Sequence, residues 1–318
     1  IEKERNLEYE GKCVQVVPHI PEEVIGRIKK AAKKTEAEIM VIEIGGTVGE
    51  YENLLFLESA RIMKLKNPKD VLFVMVSFLP IPSKLGEMKT KPTQHAVRTL
   101  NSSGIQPNFI IARSEQDIDN IRREKIALHC NMNKEDVIAA PDIESVYEIP
   151  LNFEKNNLGN KILKKLGLKS KATEESKKNE KRWSDMVYSL KNNKQEVKIG
   201  IVGKYFASGD FSLTDSYISV IEAIKHAGTY NKIKPKLEWI AAETIEKEGI
   251  GCLRGLAGII VPQGWGSRGS KGKIETIKYC RERKIPYLGL CYGMQMAVIE
   301  FAQNVCGLKD ACSEEINP

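Results

Sequence analysis

Cys291 has the neighbours a reactive cysteine needs. It stands in PYLGLCYGMQ, residues 286–295, where an apolar run ends in a turn flanked by Gly289 and Gly293. Glycine on both sides permits the backbone angles of a sharp strand-to-helix elbow. The following MQMAVIEFA has helical periodicity, which puts the sulfur near a helix N-terminus, where partial positive charge favours thiolate over thiol. Cysteine also packs well as a small hydrophobe, so the same residues fit a buried cysteine closing a strand. A second apolar run, IIVPQGWGSRG over residues 259–269, ends in a glycine-rich loop able to offer backbone N–H groups to a developing oxyanion.

A second constellation lies far upstream. In VIEIGGTVGEYEN, residues 41–53, a strand-like run ends near Glu43 and leads into a loop bearing Glu50 and Glu52. Ligands of open α/β sheets bind at strand C-termini, where a carboxylate can hold Mg²⁺ against phosphates. A strand-end turn with solvated acids fits the run equally. In KTKPTQH, residues 89–95, Lys89 and Lys91 are expected in an extended stretch stiffened by Pro92, with Thr93 and Gln94 beside them. Two ammonium groups and neighbouring donors make a cradle for several phosphates, or a solvated surface.

The elements that must position these groups follow from apolar periodicity. Short apolar runs alternate with amphipathic stretches, the pattern of a parallel sheet with crossover helices. Strands are expected at 14–17, 39–44, 71–78 and 109–113, with helices at 22–34 and 54–66 between them. A second series starts near Val197, with strands at KIGIVG, KLEWIA, GIIVP and PYLGL. Residues 169–196, rich in Lys, Glu, Ser and Asn with Trp183 as their one large anchor, read as an exposed helical linker.

The chain's 318 residues, 42% of them hydrophobic, suffice for two cores. No apolar run approaches the ~20 residues of a membrane-spanning helix. The seven cysteines lack CxxC pairing, which argues against a disulfide framework or zinc site and suits a reducing cytoplasm. Cys13, Cys130, Cys252, Cys280, Cys306 and Cys312 are expected to be structural. The net charge of +7 fits anionic ligands, and no nucleic-acid-binding motif is present.

The 259–269 loop and the 286–295 elbow together resemble class I glutamine amidotransferases. VKIGIVGKY (197–205), SYISVIEAIKHAG (216–228) and the spacing from Gly264 to Cys291 are similar to the glutaminase domain of CTP synthases. VIEIGGTVGEYEN and GEMKTKPTQHAV (86–97) are similar to the synthetase domain of that same family. The resemblance implies two three-layer α/β domains, both incomplete. A P-loop-NTPase-like amidoligase domain would occupy 1–168, a linker 169–196 and the amidotransferase domain 197–318. It implies ATP-dependent amination of UTP to CTP with ammonia from L-glutamine. It further implies Mg²⁺, GTP as an allosteric activator, a cytoplasmic homotetramer able to form filaments, and no nucleic-acid or membrane partner.

Carried over by matching residues, Cys291 is the nucleophile, the backbone N–H groups of Gly264 and Tyr292 form the oxyanion hole, and Gln295 helps bind glutamine. Glu43 is the Mg²⁺ ligand. Glu50, Glu52, Lys89, Lys91, Gln94 and Lys125 belong to the UTP/CTP site, and Arg113 lies near the ATP base, although Lys125 and Arg113 fit ordinary surface cations equally. The family commonly has aspartate at the position of Glu50. At Gln263 the chain departs from the glycine pair usual in this loop, and a positive φ there would strain glutamine. No G-x-x-x-x-G-K-[ST] occurs, and GIVGKYFASG (200–209) reads as a glutaminase loop. All four histidines, His19, His95, His129 and His226, precede Cys291, whereas the family's base lies downstream of it. With an N-terminal residue Ile1, these features read as an internal portion of a longer enzyme that by itself neither hydrolyses glutamine nor makes CTP. The alternative reading is a noncatalytic nucleotide-binding and oligomerisation fragment of the same family.

Overall fold

Parallel strands joined by helices build both halves of the chain, as the alternation of apolar and amphipathic segments requires. The computed structural model describes residues 1–204, 207–208, 211–212 and 217–314. They divide into two units, residues 1–173 and residues 174 onward.

The first unit runs α1 (Glu2–Arg5), α2 (Val16–Thr35), α3 (Leu54–Lys66), β1 (Val74–Phe78), α4 (Lys91–Ser102), β2 (Phe109–Ser114), α5 (Asn120–His129), β3 (Val137–Pro141), α6 (Ile149–Lys155) and α7 (Leu158–Lys165). The strands form a parallel sheet in the order β1-β2-β3, with Val74 opposite Phe109 and Ile110 opposite Val137. Side chains alternate across a strand, so Met75, Ile110, Ala112 and Val137 meet Leu57 of α3, Val97 and Leu100 of α4 and Ile126 of α5. On the opposite face, Phe109, Ile111 and Ile138 pack under Phe153 of α6 and Leu158 of α7.

Two expected strands do not form. Residues 39–44 have no strand partner, and Val41 is 94% exposed. Residues 14–17 run instead into α2, where Val17 keeps extended angles (φ −115, ψ 126) ahead of Pro18, whose ring disfavours helix in the residue before it. An apolar run becomes a strand only against a hydrogen-bonding neighbour, and among the described residues nothing pairs with the outer edge of β1.

The second unit contains α8 (Glu174–Asn192), β4 (Glu196–Gly203), β5 (Ala207–Ser208), β6 (Phe211–Ser212), α9 (Ile218–Tyr230), β7 (Lys234–Ala241), α10 (Ala242–Glu248), β8 (Gly258–Val261), α11 (Ser270–Arg283), β9 (Tyr287–Gly289) and α12 (Tyr292–Asn304). Its main sheet is parallel, in the order β7-β4-β8-β9. Val202, Ile240, Ile259 and Val261 pack with Ile245 of α10 and Cys280 of α11. Ile201 meets Tyr217 and Val220 on the other face. The buried Glu300 carboxylate of α12 accepts two-pronged donation from Arg281 of α11, with Nη2 at 2.8 Å and Nε at 3.1 Å, which fixes these helices against each other.

The segment expected to be a linker is largely the helix α8. It buries Val187, and its C-terminal end is tied down by Ser189 Oγ on the Thr229 carbonyl and Asn193 Nδ2 on the Ile233 carbonyl. Trp183 is 37% exposed and so is partly covered, beside the buried Val187. Cys130 and Cys280 are buried, while Cys13, Cys252, Cys306 and Cys312 are exposed and so contribute little packing.

Candidate active site

Open parallel sheets bind ligands beyond the carboxyl ends of their strands. In the second unit that edge carries the loop after β8 and the turn after β9, adjacent because Val261 pairs with Gly289 and Leu290 N donates to the Val261 carbonyl at 2.9 Å. Cys291 sits at the turn between β9 and α12, exposed, with φ 52 and ψ −108. A non-glycine residue in that conformation is strained, and the surroundings must enforce it. They do so by close approach. A Cβ at Gly293 would lie 2.0 Å from the Val261 carbonyl oxygen, and one at Gly289 would lie 2.6 Å from the Gly293 carbonyl carbon. The flanking glycines therefore make room for the elbow, while the unusual backbone angles fall on Cys291 itself.

The loop after β8 has its positive φ values at Gly264 (150) and Gly266 (89), and Gln263 is not among the residues with positive φ. Glutamine at 263 is thus unstrained. Gly264 is buried, and Tyr292 is fully buried at the first position of α12. Gln295 lies one turn further on, its N–H donating to the Cys291 carbonyl at 3.2 Å. Beneath the loop are two lysines that sequence reasoning passed over, Lys204 and Lys273. Lys273 occupies the buried stripe of α11 with Ser270, Thr276, Ile277 and Cys280. A lysine in register with a helix's buried positions was the signal available. Burial, then the charge of Lys204, pushes the Lys273 ammonium down to about 8 against the pull of Glu243 and Cys291. Burial likewise lowers Lys204, with Arg268 adding to it.

Residues 205, 206 and 209 of GIVGKYFASG lie outside the described residues. Among the described residues, Cys291 Sγ has no hydrogen-bonded base. The one histidine of the second unit, His226, is on α9 and exposed.

In the first unit, Lys91 opens α4 and Pro92 falls in its first turn, so the KTK run ends extended structure rather than continuing it. Lys89 precedes the helix and donates to Glu87 Oε2 at 2.6 Å. Arg122 of α5 stands 3.5 Å from the same carboxylate, and Lys125 adds its field, so the Glu87 carboxyl is held below its ordinary value, chiefly by the Lys89 hydrogen bond. Lys89 and Lys125 therefore converge on one acid. Gln94 is buried, its Nε2 donating to Thr90 Oγ1 at 3.1 Å, and Thr93 Oγ1 shares a hydrogen bond with Ser77 Oγ at 2.7 Å.

Other expected residues are placed apart. Glu43 is exposed in irregular chain instead of ending a buried strand. Glu50 Oε2 accepts the Thr47 N–H at 2.9 Å and so closes its own loop, while Glu52 is exposed on the following turn. Arg113 projects from the sheet face opposite α4, 3.9 Å from Asp142. No group of three or more His, Cys, Asp or Glu able to hold a metal occurs among the described residues. Mg²⁺ usually takes only one or two protein carboxylates and completes its shell with phosphate and water, so the single exposed Glu43 carboxylate remains compatible with it. Among the described residues no helix is long and apolar enough to cross a membrane.

Residues 1–168 match the family description "CTP synthase N-terminus", and residues 212–316 match "Glutamine amidotransferase class-I". A CTP synthase of Pyrococcus abyssi is 49% identical over the whole chain, which covers 57% of that relative. One of Carboxydothermus hydrogenoformans is also 49% identical over the whole chain, covering 58% of the relative. A solved Trypanosoma brucei CTPS glutaminase domain with bound acivicin is 38% identical over 38% of this chain and 46% of that one, with a TM-score of 0.35. The matches define a class in which a synthetase-type domain is joined to a glutamine amidotransferase domain. The chain belongs to the CTP synthase family, and it spans slightly under three fifths of the length of these curated relatives.

Proposed function

We propose that this chain supplies the nucleotide-handling and nucleophile-bearing parts of an enzyme that aminates UTP to CTP with ATP, using ammonia released from glutamine. The carrying observation is Cys291, an exposed thiol held at φ 52 on the N-terminus of α12 beside a loop whose carbonyls face inward. Cys291 Sγ attacks the side-chain amide carbon of glutamine, and the oxygen that gains charge is bound by the N–H groups of Gly264 and Tyr292. Gln295, one turn along the same helix, orients the substrate.

In the first unit, Lys89, Lys91 and Lys125 bind the triphosphate of UTP, or of CTP as product, helped by the N-terminus of α4. The buried pair Thr93 and Gln94 holds that end of the helix in place. Glu50 and Glu52 line the pyrimidine end and Arg113 the ATP base. Glu43 would hold Mg²⁺, which when bound would supply neutralising charge to phosphoryl oxygens. Division into an amidoligase domain (1–168), linker (169–196) and amidotransferase domain (197–318), activation by GTP, a cytoplasmic location and a homotetramer able to form filaments complete the reading.

The test is Cys291→Ala in the enzyme that contains this chain. CTP formation from glutamine is lost, while formation from supplied ammonia continues, because Cys291 serves only the ammonia-releasing site. Equal loss with both nitrogen donors would sink the assignment.

A further inference from the structure

Every carbonyl of the loop 263–266 is bound by a side chain from another part of the second unit. Tyr217 Oη donates to the Gln263 carbonyl at 3.1 Å, and Lys273 Nζ donates to that of Gly264 at 3.3 Å. Lys204 Nζ donates to the Trp265 carbonyl and, at 2.9 Å, to that of Gly266, which also accepts Tyr292 Oη at 3.2 Å. A trans peptide is planar, with the C=O of one residue antiparallel to the N–H of the next. Fixing the carbonyls of 263, 264 and 265 inward therefore turns the N–H groups of Gly264, Trp265 and Gly266 the opposite way.

The lysines are costly ways to fill space. Lys273 is 0% exposed and Lys204 is 6% exposed, and among the described residues neither makes an ion pair. A buried ammonium without an ion-pair partner is destabilising relative to an apolar residue of similar volume. What it adds is donor hydrogen atoms and charge in a dry setting, where both act strongly. The two ammonium groups also lie 4.9 and 5.5 Å from the centre of the Tyr292 ring. They grip the residue that carries the second oxyanion donor as well as the loop that carries the first.

We propose that Lys273, Lys204 and Tyr217 are positioning residues for the oxyanion donors at Cys291, aiming the loop's N–H groups by holding its carbonyls. This rests on the reading of Cys291 as the glutaminase nucleophile. None of the three touches the reacting atoms; each acts through a main-chain carbonyl.

The experiment compares two alkylating agents on this chain, with Cys291 labelling followed by peptide mapping. A chloroketone analogue of glutamine places its carbonyl in the oxyanion hole while the thiolate displaces chloride and forms a thioether. Iodoacetamide alkylates the same thiolate, losing iodide, without needing the hole. Wild type prefers the chloroketone. In Lys273→Met and Lys204→Met the ratio of chloroketone to iodoacetamide rates falls roughly tenfold, below the ~100-fold loss for deleting an oxyanion donor outright. Tyr217→Phe removes one hydroxyl from an otherwise intact core, frees the peptide that carries the Gly264 N–H, and lowers the ratio by about the same factor. It remains informative if a lysine variant fails to fold. An unchanged ratio in the variants that fold, or a parallel fall in both rates, overturns the inference while the wild-type preference leaves the nucleophile reading standing. A wild-type chain with no preference for the chloroketone removes the nucleophile reading, and this inference with it.

Discussion

In the function proposed above, the Cys291 elbow and the lysine cluster around Glu87 both answer to the chemistry of anions, yet they are built in opposite ways. At the elbow the cations are buried and bind backbone carbonyls, so the groups offered to a ligand are main-chain N–H donors whose direction is set before anything binds. At Glu87 the cations are on the surface: Lys125 is exposed, and Lys89 is occupied by the carboxylate itself. A transient oxyanion gains most from dipoles that need no reorganisation. A triphosphate is bound and released, so flexible, solvated lysines suit it. The first arrangement is paid for in folding stability and the second in affinity.

The largest effect that separates the two comes from Gly293→Ala. Its methyl group would lie 2.0 Å from the Val261 carbonyl oxygen, in backbone that has nowhere to retreat. The expected result is a loss of chloroketone labelling at Cys291 of about 100-fold or more. Overpacking at such a contact costs roughly 1–3 kcal/mol of stability in the second unit. UTP binding by the first unit, followed by calorimetry, is unchanged; a loss there would mean the regions are not independent.

The next effect is pH dependence. The Lys273 ammonium titrates near 8 in the folded chain against 10.5 as its ordinary value. Between those values the unfolded chain binds the extra proton, so the stability of the second unit rises with pH across this window. Below it the full penalty applies, on the order of 3 kcal/mol; above it the penalty is gone. All three tryptophans, Trp183, Trp239 and Trp265, lie in the second unit, so urea unfolding followed by their fluorescence reports on it alone. Subtracting Lys273→Met from wild type cancels the contrary effects of Cys280 and Tyr287, whose buried groups are pushed upward. A difference that stays flat from pH 8 to 10 would put Lys273 in contact with water.

In the first unit, Lys89→Ala and Lys91→Ala each weaken UTP binding roughly tenfold, the range of one charge-assisted hydrogen bond. Added salt shrinks the effect, because the groups are exposed. Uridine, without phosphates, binds nearly as before; equal losses for nucleoside and triphosphate would break the comparison. The smallest change is Glu50→Gln. The amide oxygen still accepts the Thr47 N–H, so the loop keeps its closure and UTP affinity changes by less than about threefold. A larger loss, measured by the same titration, would give the Glu50 charge a direct part in binding.

Much of this molecule was legible in order along the chain. The helix expected at 54–66 forms over those residues, and the strands of the second unit appear at each expected apolar run, because periodicity of 3.6 or 2 is a local property. The elbow was legible for the same reason: glycine, cysteine and glycine at alternate positions after an apolar run constrain backbone geometry within a few residues. The failures at 14–17 and 39–44 are of another kind, since a strand exists only with a partner and, among the described residues, β1 has none on its outer edge.

Sequence alone thus determined the glycine-flanked elbow at Cys291, the family resemblance and the alternation of elements, all carried by residues close together in the chain. It did not determine which groups hold the loop 263–266. Tyr217 and Lys204 are 46 and 61 residues from the carbonyls they bind, and packing alone brings them there. Nor did it show that Gln263 is unstrained, or that Glu50 spends an oxygen on its own loop. Those outcomes depend on which carbonyl faces inward once the helices close over the sheet. The reason is that a buried polar group must find a partner wherever the fold provides one.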